Sequence, residues 1–73
     1  MPPRTLGETL RDLREHRGMT AGQLAERAQV ALSYVTLIES GHETRPTRQV
    51  LHRLARALQV PVERLDPEAP PTA

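Results

Sequence analysis

Thr20-Ala21-Gly22-Gln23-Leu24-Ala25-Glu26-Arg27-Ala28-Gln29-Val30-Ala31-Leu32-Ser33-Tyr34-Val35-Thr36-Leu37-Ile38-Glu39-Ser40-Gly41 is the stretch that decides the fold. Two short helical patterns meet in it with almost nothing between them. The first sets Leu24, Ala25 and Ala28 on one helical face; the second sets Val35 and Ile38 three apart. Val30 sits in the joint, where it can plug both helices into a shared core. Ala25 is small where two helices must cross closely, as a tight angled turn requires. The pattern predicts a bihelical unit whose second helix protrudes, helix-turn-helix in shape.

Outward from this unit, the flanks read as more helix. Thr5 and Glu8 have the spacing of a capping box, and Leu6, Leu10 and Leu13 recur at helical intervals toward a stop near Arg17 and Gly18. Met19 can fold back on this helix. Thr20 caps the second helix with Gln23 three residues on, and that helix runs to about Ala28. The third spans roughly Leu32 to Ser40, closed by Gly41, and a polar loop follows from His42 to Pro46. Thr47 caps a fourth helix carrying Val50, Leu51, Leu54, Ala55 and Leu58. The run from Val60 through Pro61 to Leu65 predicts a short fifth helix with Pro61 in or near its first turn. The expected architecture is therefore all-α, a compact bundle of five short helices. Residues 1–5 are expected to be a frayed N-terminus, 6–65 the folded domain, and 66–73, with three prolines and no core residue, a disordered tail.

Size and composition narrow what such a chain can be. Seventy-three residues make one small domain that can bury little of its surface. It has no cysteine, so no disulfide or thiolate site adds stability. Tyr34 is the sole aromatic residue, so the core must be aliphatic, which suits packed helices better than a sheet. No apolar run reaches membrane-spanning length and the first residues lack a signal-peptide core, which predicts a cytoplasmic protein away from membranes. Nine acids face ten arginines for a net charge of +1; with Asp66 and Glu68 set aside, the folded part stands at +3. That balance is mildly basic and compatible with a nucleic-acid partner. Enzymatic readings find no footing. His16, His42 and His52 lack ligand spacing, so no metal is expected, and no serine sits in a nucleophilic constellation. No cofactor and no small-molecule ligand is implied.

Several segments, in order, carry a family resemblance. They are Leu10-Arg11-Asp12-Leu13-Arg14, Arg17-Gly18-Met19-Thr20, Leu24-Ala25-Glu26-Arg27-Ala28, Ile38-Glu39-Ser40-Gly41, Arg45-Pro46-Thr47 and Leu54-Ala55-Arg56-Ala57-Leu58-Gln59-Val60. Together they resemble the helix-turn-helix domain of phage-repressor-like, XRE-type regulators, over roughly residues 6–65. The resemblance implies a lambda-repressor-like DNA-binding domain. It also implies a sequence-specific transcriptional regulator, typically a repressor, that acts on double-stranded DNA as a homodimer.

It assigns roles as well. The third helix would lie in the major groove, with Leu32, Ser33, Tyr34, Thr36 and Leu37 at the base-reading positions. Thr20, Gln23, His42, Thr44, Arg45 and Arg48 would contact phosphates at the two ends of one groove-facing surface, the alternative being a solvated charged loop. Arg14 and Glu39 would form a structural ion pair holding the third helix to the first. Three positions depart from the family pattern. Ala21 replaces a glutamine that usually follows the cap. Leu32 and Leu37 replace polar residues, which leaves either contact with thymine methyls or burial against another protein surface. Gln29 stands where a glycine normally takes positive φ, so a mild strain is expected there. Val60, Val62 and Leu65 either build a dimer interface with the fourth and fifth helices or close the monomer core. The rival to a DNA-binding regulator is a protein-interaction module, an antitoxin or adaptor, that keeps the fold without specific readout.

Overall fold

Threonine opens three of the helices. In a computed structural model that describes residues 5–65, α1 spans Leu6–His16, α2 Ala21–Ala28, α3 Leu32–Glu39 and α4 Arg48–Leu58. Thr5, Thr20 and Thr47 each accept a hydrogen bond from the backbone N–H three residues on, and the first two are complete capping boxes with Glu8 and Gln23. Helix α3 starts on Ala31, which has no side chain able to cap it. No helix among the described residues is long and apolar enough to cross a membrane. The expected frayed start, except Thr5, and the expected disordered tail lie outside the described residues.

Packing follows the aliphatic stripes. Helix α2 lies against both α3 and α4, and α1 lies against α3. Leu10 of α1, Leu24, Ala25 and Ala28 of α2, Val35 and Ile38 of α3, and Leu51, Leu54, Ala55 and Leu58 of α4 share one buried cluster. Leu10, Leu24, Val35, Leu54 and Leu58 have no exposed surface at all. Fully burying such a side chain is worth about 1.5–3 kcal/mol, so these five carry much of the stability of a small domain.

The fifth helix is not an α-helix. Val62–Arg64 form a single 3-10 turn against α4. Only Arg64 N to Pro61 O and Leu65 N to Val62 O close it, both at 3.0 Å. Pro61 has no N–H to give and stands as the N-cap of this turn in an extended conformation (φ −66°, ψ 149°). Val62 and Leu65 are buried in the cluster, so two of the three residues considered for a dimer interface instead seal the open end of the monomer core.

Three helices end alike. After α1, Met19 N donates to Arg14 O and Gly18 N to Glu15 O; after α2, Val30 N to Ala25 O and Gln29 N to Glu26 O; after α4, Val60 N to Ala55 O and Gln59 N to Arg56 O. This paired pattern is the Schellman stop, with a left-handed residue at its centre. Gly18 takes φ +68° without strain, but Gln29 (φ 58°) and Gln59 (φ 60°) carry side chains into that region. In each case the next residue (Met19, Val30 or Val60) folds back onto the core.

Replacing Gln29 by glycine is expected to stabilise the domain by about 1 kcal/mol, read as a shift in denaturant midpoint at unchanged m-value. Gln59→Gly should gain less, because the Gln59 side chain also accepts a hydrogen bond from Arg17 Nη1 at 3.0 Å. A loss of stability from Gln29→Gly would contradict the strain assigned to it.

Candidate nucleic-acid interface

Helix α3 is held from below by one fork. Arg14 Nε donates to Glu39 Oε2 at 2.7 Å and Nη2 to Glu39 Oε1 at 2.9 Å, while Nη1 donates to Met19 O at 2.8 Å. The two side chains are only 12% and 9% exposed, so this pair is largely withdrawn from solvent, and its hydrogen bonds to Glu39 push the Arg14 pKa upward. Arginine keeps its proton at any working pH, so the pair's charge on that side is constant. Arg11 adds a distant contact to Glu39 at 4.0 Å from a 62% exposed side chain, which is worth little.

Because Arg14 grips both Met19 and Glu39, the start of α2 and the end of α3 are neighbours at one corner. Beside them, Gly7 of α1 packs so tightly on α3 that a Cβ there would collide with the carbonyls of Ile38 and Glu39. Glycine inside a helix normally costs about 1 kcal/mol relative to alanine, and that unexplained glycine in the first turn is the signal by which this contact could have been read from sequence.

With its inner face locked by Val35, Ile38 and Glu39, α3 turns the rest outward. Leu32 (51%) and Leu37 (47%) are the exposed large hydrophobic residues, and Ser33 and Thr36 are exposed between them. Tyr34 is half-buried and leans on the core. Thr36 Oγ1 donates back to Leu32 O at 3.1 Å, which spends its hydroxyl proton within the helix. Among the described residues Ser33 has no side-chain partner.

Thr20, Gln23, His42, Thr44, Arg45 and Arg48 are all exposed. In the capping box, Thr20 Oγ1 accepts from Gln23 N at 3.0 Å and Gln23 Oε1 from Thr20 N at 2.8 Å, which leaves the Gln23 amide NH₂ pointing its donors elsewhere. The loop after α3 is internally braced. Glu43 N donates to Leu37 O at 2.9 Å, Glu43 Oε1 accepts from Arg45 N at 2.8 Å, and Ser40 Oγ sits 2.8 Å from His42 Nδ1. Neither Arg45 nor Arg48 has an ion-pair partner among the described residues. Nor do three His, Asp or Glu side chains gather there in a way that could hold a metal ion.

The family profile described as "Helix-turn-helix domain" matches residues 5–67. The chain is similar to the HTH-type transcriptional repressor RghR of Bacillus subtilis, with 39% identity over 84% of this chain and 45% of that one. It is similar to the HTH-type transcriptional regulator SinR of the same species, with 35% identity over 82% of this chain and 54% of that one. It therefore spans about half the length of these curated relatives. Among solved structures, SinR, described as the master regulator for biofilm formation and determined in complex with DNA, superposes with a TM-score of 0.82 at 34% identity, covering 84% of this chain and 97% of that one. The restriction-modification controller protein C.AhdI of Aeromonas hydrophila gives 0.79 at 30% identity, covering 82% and 89%.

Arg14→Ala is expected to destabilise by roughly 3 kcal/mol, since it leaves Glu39 withdrawn from water without its partner. Arg14→Lys should recover only part of this, because an ammonium cannot form the fork. The paired replacement Arg14→Met with Glu39→Leu should cost much less than either single alanine change. Chemical denaturation measures all three, and single-variant losses below about 0.5 kcal/mol would show that the fork is ornamental.

Proposed function

The chain belongs to the helix-turn-helix domain family, in its phage-repressor-like, XRE-type branch, and from that premise we propose that it is a sequence-specific DNA-binding transcriptional regulator, acting as a repressor. One observation carries the reading. Helix α3 is anchored on one face by a part-buried fork and an aliphatic core, while its opposite face is exposed and bordered by unpaired cations. Leu32 and Leu37 stand on that outward face and are open to whatever meets it.

In this reading the domain is residues 6–65. The free N–H groups of the first turns of α2 and α3 receive phosphate oxygens, aided by the partial positive charge of a helix start. Thr20, Gln23, His42, Thr44, Arg45 and Arg48 neutralise the backbone and set the register. Ser33, with Leu32, Thr36 and Leu37, faces base edges, and half-buried Tyr34 contributes its ring edge or hydroxyl to the rim of this surface. A unit of this size buries a modest interface, so two copies on inverted half-sites one helical turn apart would form the working species. With Val62 and Leu65 spent on the core, a homodimer contact at this end of the molecule would use half-buried Val60 and Leu13 on the groove between α1 and the 3-10 turn.

Fluorescence anisotropy on a mixed-sequence duplex tests the proposal. Binding should weaken steeply as salt rises, with log K falling by about 0.9 per neutralised phosphate for each unit of log salt. Arg45→Ala should weaken all sequences alike and flatten that slope by about 1, whereas Ser33→Ala should change the ranking of sequences. Absence of binding at low salt would favour the protein-interaction module instead.

A further inference from the structure

The outward face of α3 is poor in the groups that normally read bases. Thr36 has committed its hydroxyl proton to Leu32 O, Tyr34 leans into the core, and no Arg, Lys, Asn or Gln projects from the helix. Ser33 is the one exposed hydroxyl on it with no partner among the described residues. None of these makes the bidentate contacts that usually distinguish guanine or adenine. What the face presents instead are two half-exposed isobutyl groups, Leu32 at 51% and Leu37 at 47%.

In the major groove there is one apolar feature on the base pairs, the C5-methyl of thymine. We propose that Leu32 and Leu37 read thymine methyl groups, so that the preferred duplex is selected by where it places thymines. This rests on the DNA-binding reading above and specifies what that surface recognises. The leucines are five residues apart, about 7.5 Å along the helix axis at 1.5 Å per residue. At 3.6 residues per turn they also point about 140° apart around the axis, on either side of Ser33 and Thr36, so each leucine meets a thymine of its own.

A protein occupant fits the same face less well. Two isolated leucines with Ser33 and Thr36 between them offer far less than the roughly 800 Å² per partner of a standard interface. A protein covering them would also bury the start of α3, whose Ala31 cap satisfies no N–H with a side chain. Duplex DNA supplies methyls for the leucines and phosphate oxygens for those N–H groups together.

The experiment begins with a duplex selected from a random pool by the unaltered protein. It is then resynthesised with deoxyuridine in place of each thymine in turn, which removes one methyl and leaves every hydrogen-bonding edge unchanged. Loss of a methyl contact worth about 0.8 kcal/mol corresponds to about fourfold weaker binding, expected at the thymines facing the leucines. Leu37→Ala, and separately Leu32→Ala, should each abolish the uridine effect at one position while leaving the salt slope intact; circular dichroism checks that the helices persist. If uridine duplexes bind as tightly as thymine duplexes, the methyl assignment is wrong while DNA binding stands. If uridine sensitivity survives unchanged in both leucine variants, other residues read the methyls and the assignment is again wrong. If no duplex is enriched and none binds at low salt, the DNA-binding reading fails and the inference with it.

Discussion

The fork from Arg14 to Glu39 sets the geometry on which the rest of this small domain depends. A protruding helix of eight residues has little surface of its own to stay in place, and Val35 and Ile38, with half-buried Tyr34, are its apolar anchors. The guanidinium fixes its last turn to α1 and, through Met19 O, to the entrance of α2. Gly7 allows the backbones of α1 and α3 to approach at this corner until no side chain fits between them. A planar fork defines distance and orientation together, which an aliphatic contact does not. The ion pair's net contribution to stability is modest once desolvation is counted, so its value lies in the position it imposes.

The other constraint is how short helices stop. With eight to eleven residues per helix, an overrun of one turn would misplace everything after it. The chain solves this in the same way three times, with a left-handed residue followed by an apolar residue that folds back onto the core. In two of them a glutamine holds a conformation that glycine would take freely. Their carbonyls are gripped by arginines, Gln29 O by Arg53 Nη1 at 3.2 Å and Gln59 O by Arg17 Nη2 at 3.3 Å. Such contacts hold the strained turns in register and tie α2 to α4 and α1 to the segment after α4.

Much of this was legible in the residues. Threonine caps and aliphatic stripes have short-range causes, so the three caps, the four helices and the left-handed Gln29 could be placed from spacing and family pattern. What escaped was non-local. Gln59-Val60 repeats Gln29-Val30, but its turn depends on α4 ending where the core needs Val60, which no local spacing states. Gly7 looks like a weak helix residue until α3 lies against it. The segment after Pro61 has helical residue types, yet its two valine and leucine side chains are pulled inward to close the core, and a 3-10 turn achieves that in three residues. Of the positions expected to face DNA, all are exposed except Tyr34, which is half-buried and packs against the aliphatic core, a non-local contact that spacing alone does not state.

Helix α3 therefore serves two separable demands. Its inward positions, Val35, Ile38 and Glu39, are dictated by the fork and the core, and a change in any of them disturbs the whole domain. Its outward positions touch nothing that the fold requires: Leu32 and Leu37 are half-exposed, Ser33 has no side-chain partner among the described residues, and the Thr36 hydroxyl bonds only within its own helix. Substitution there changes what the helix meets without changing where it stands. This explains how the chain can keep the family's buried pattern and still depart from it at Ala21, Leu32 and Leu37. It also bounds what those departures mean: the half-exposed leucines lie outside the buried cluster, so their replacement changes the surface of α3 and leaves its anchoring intact.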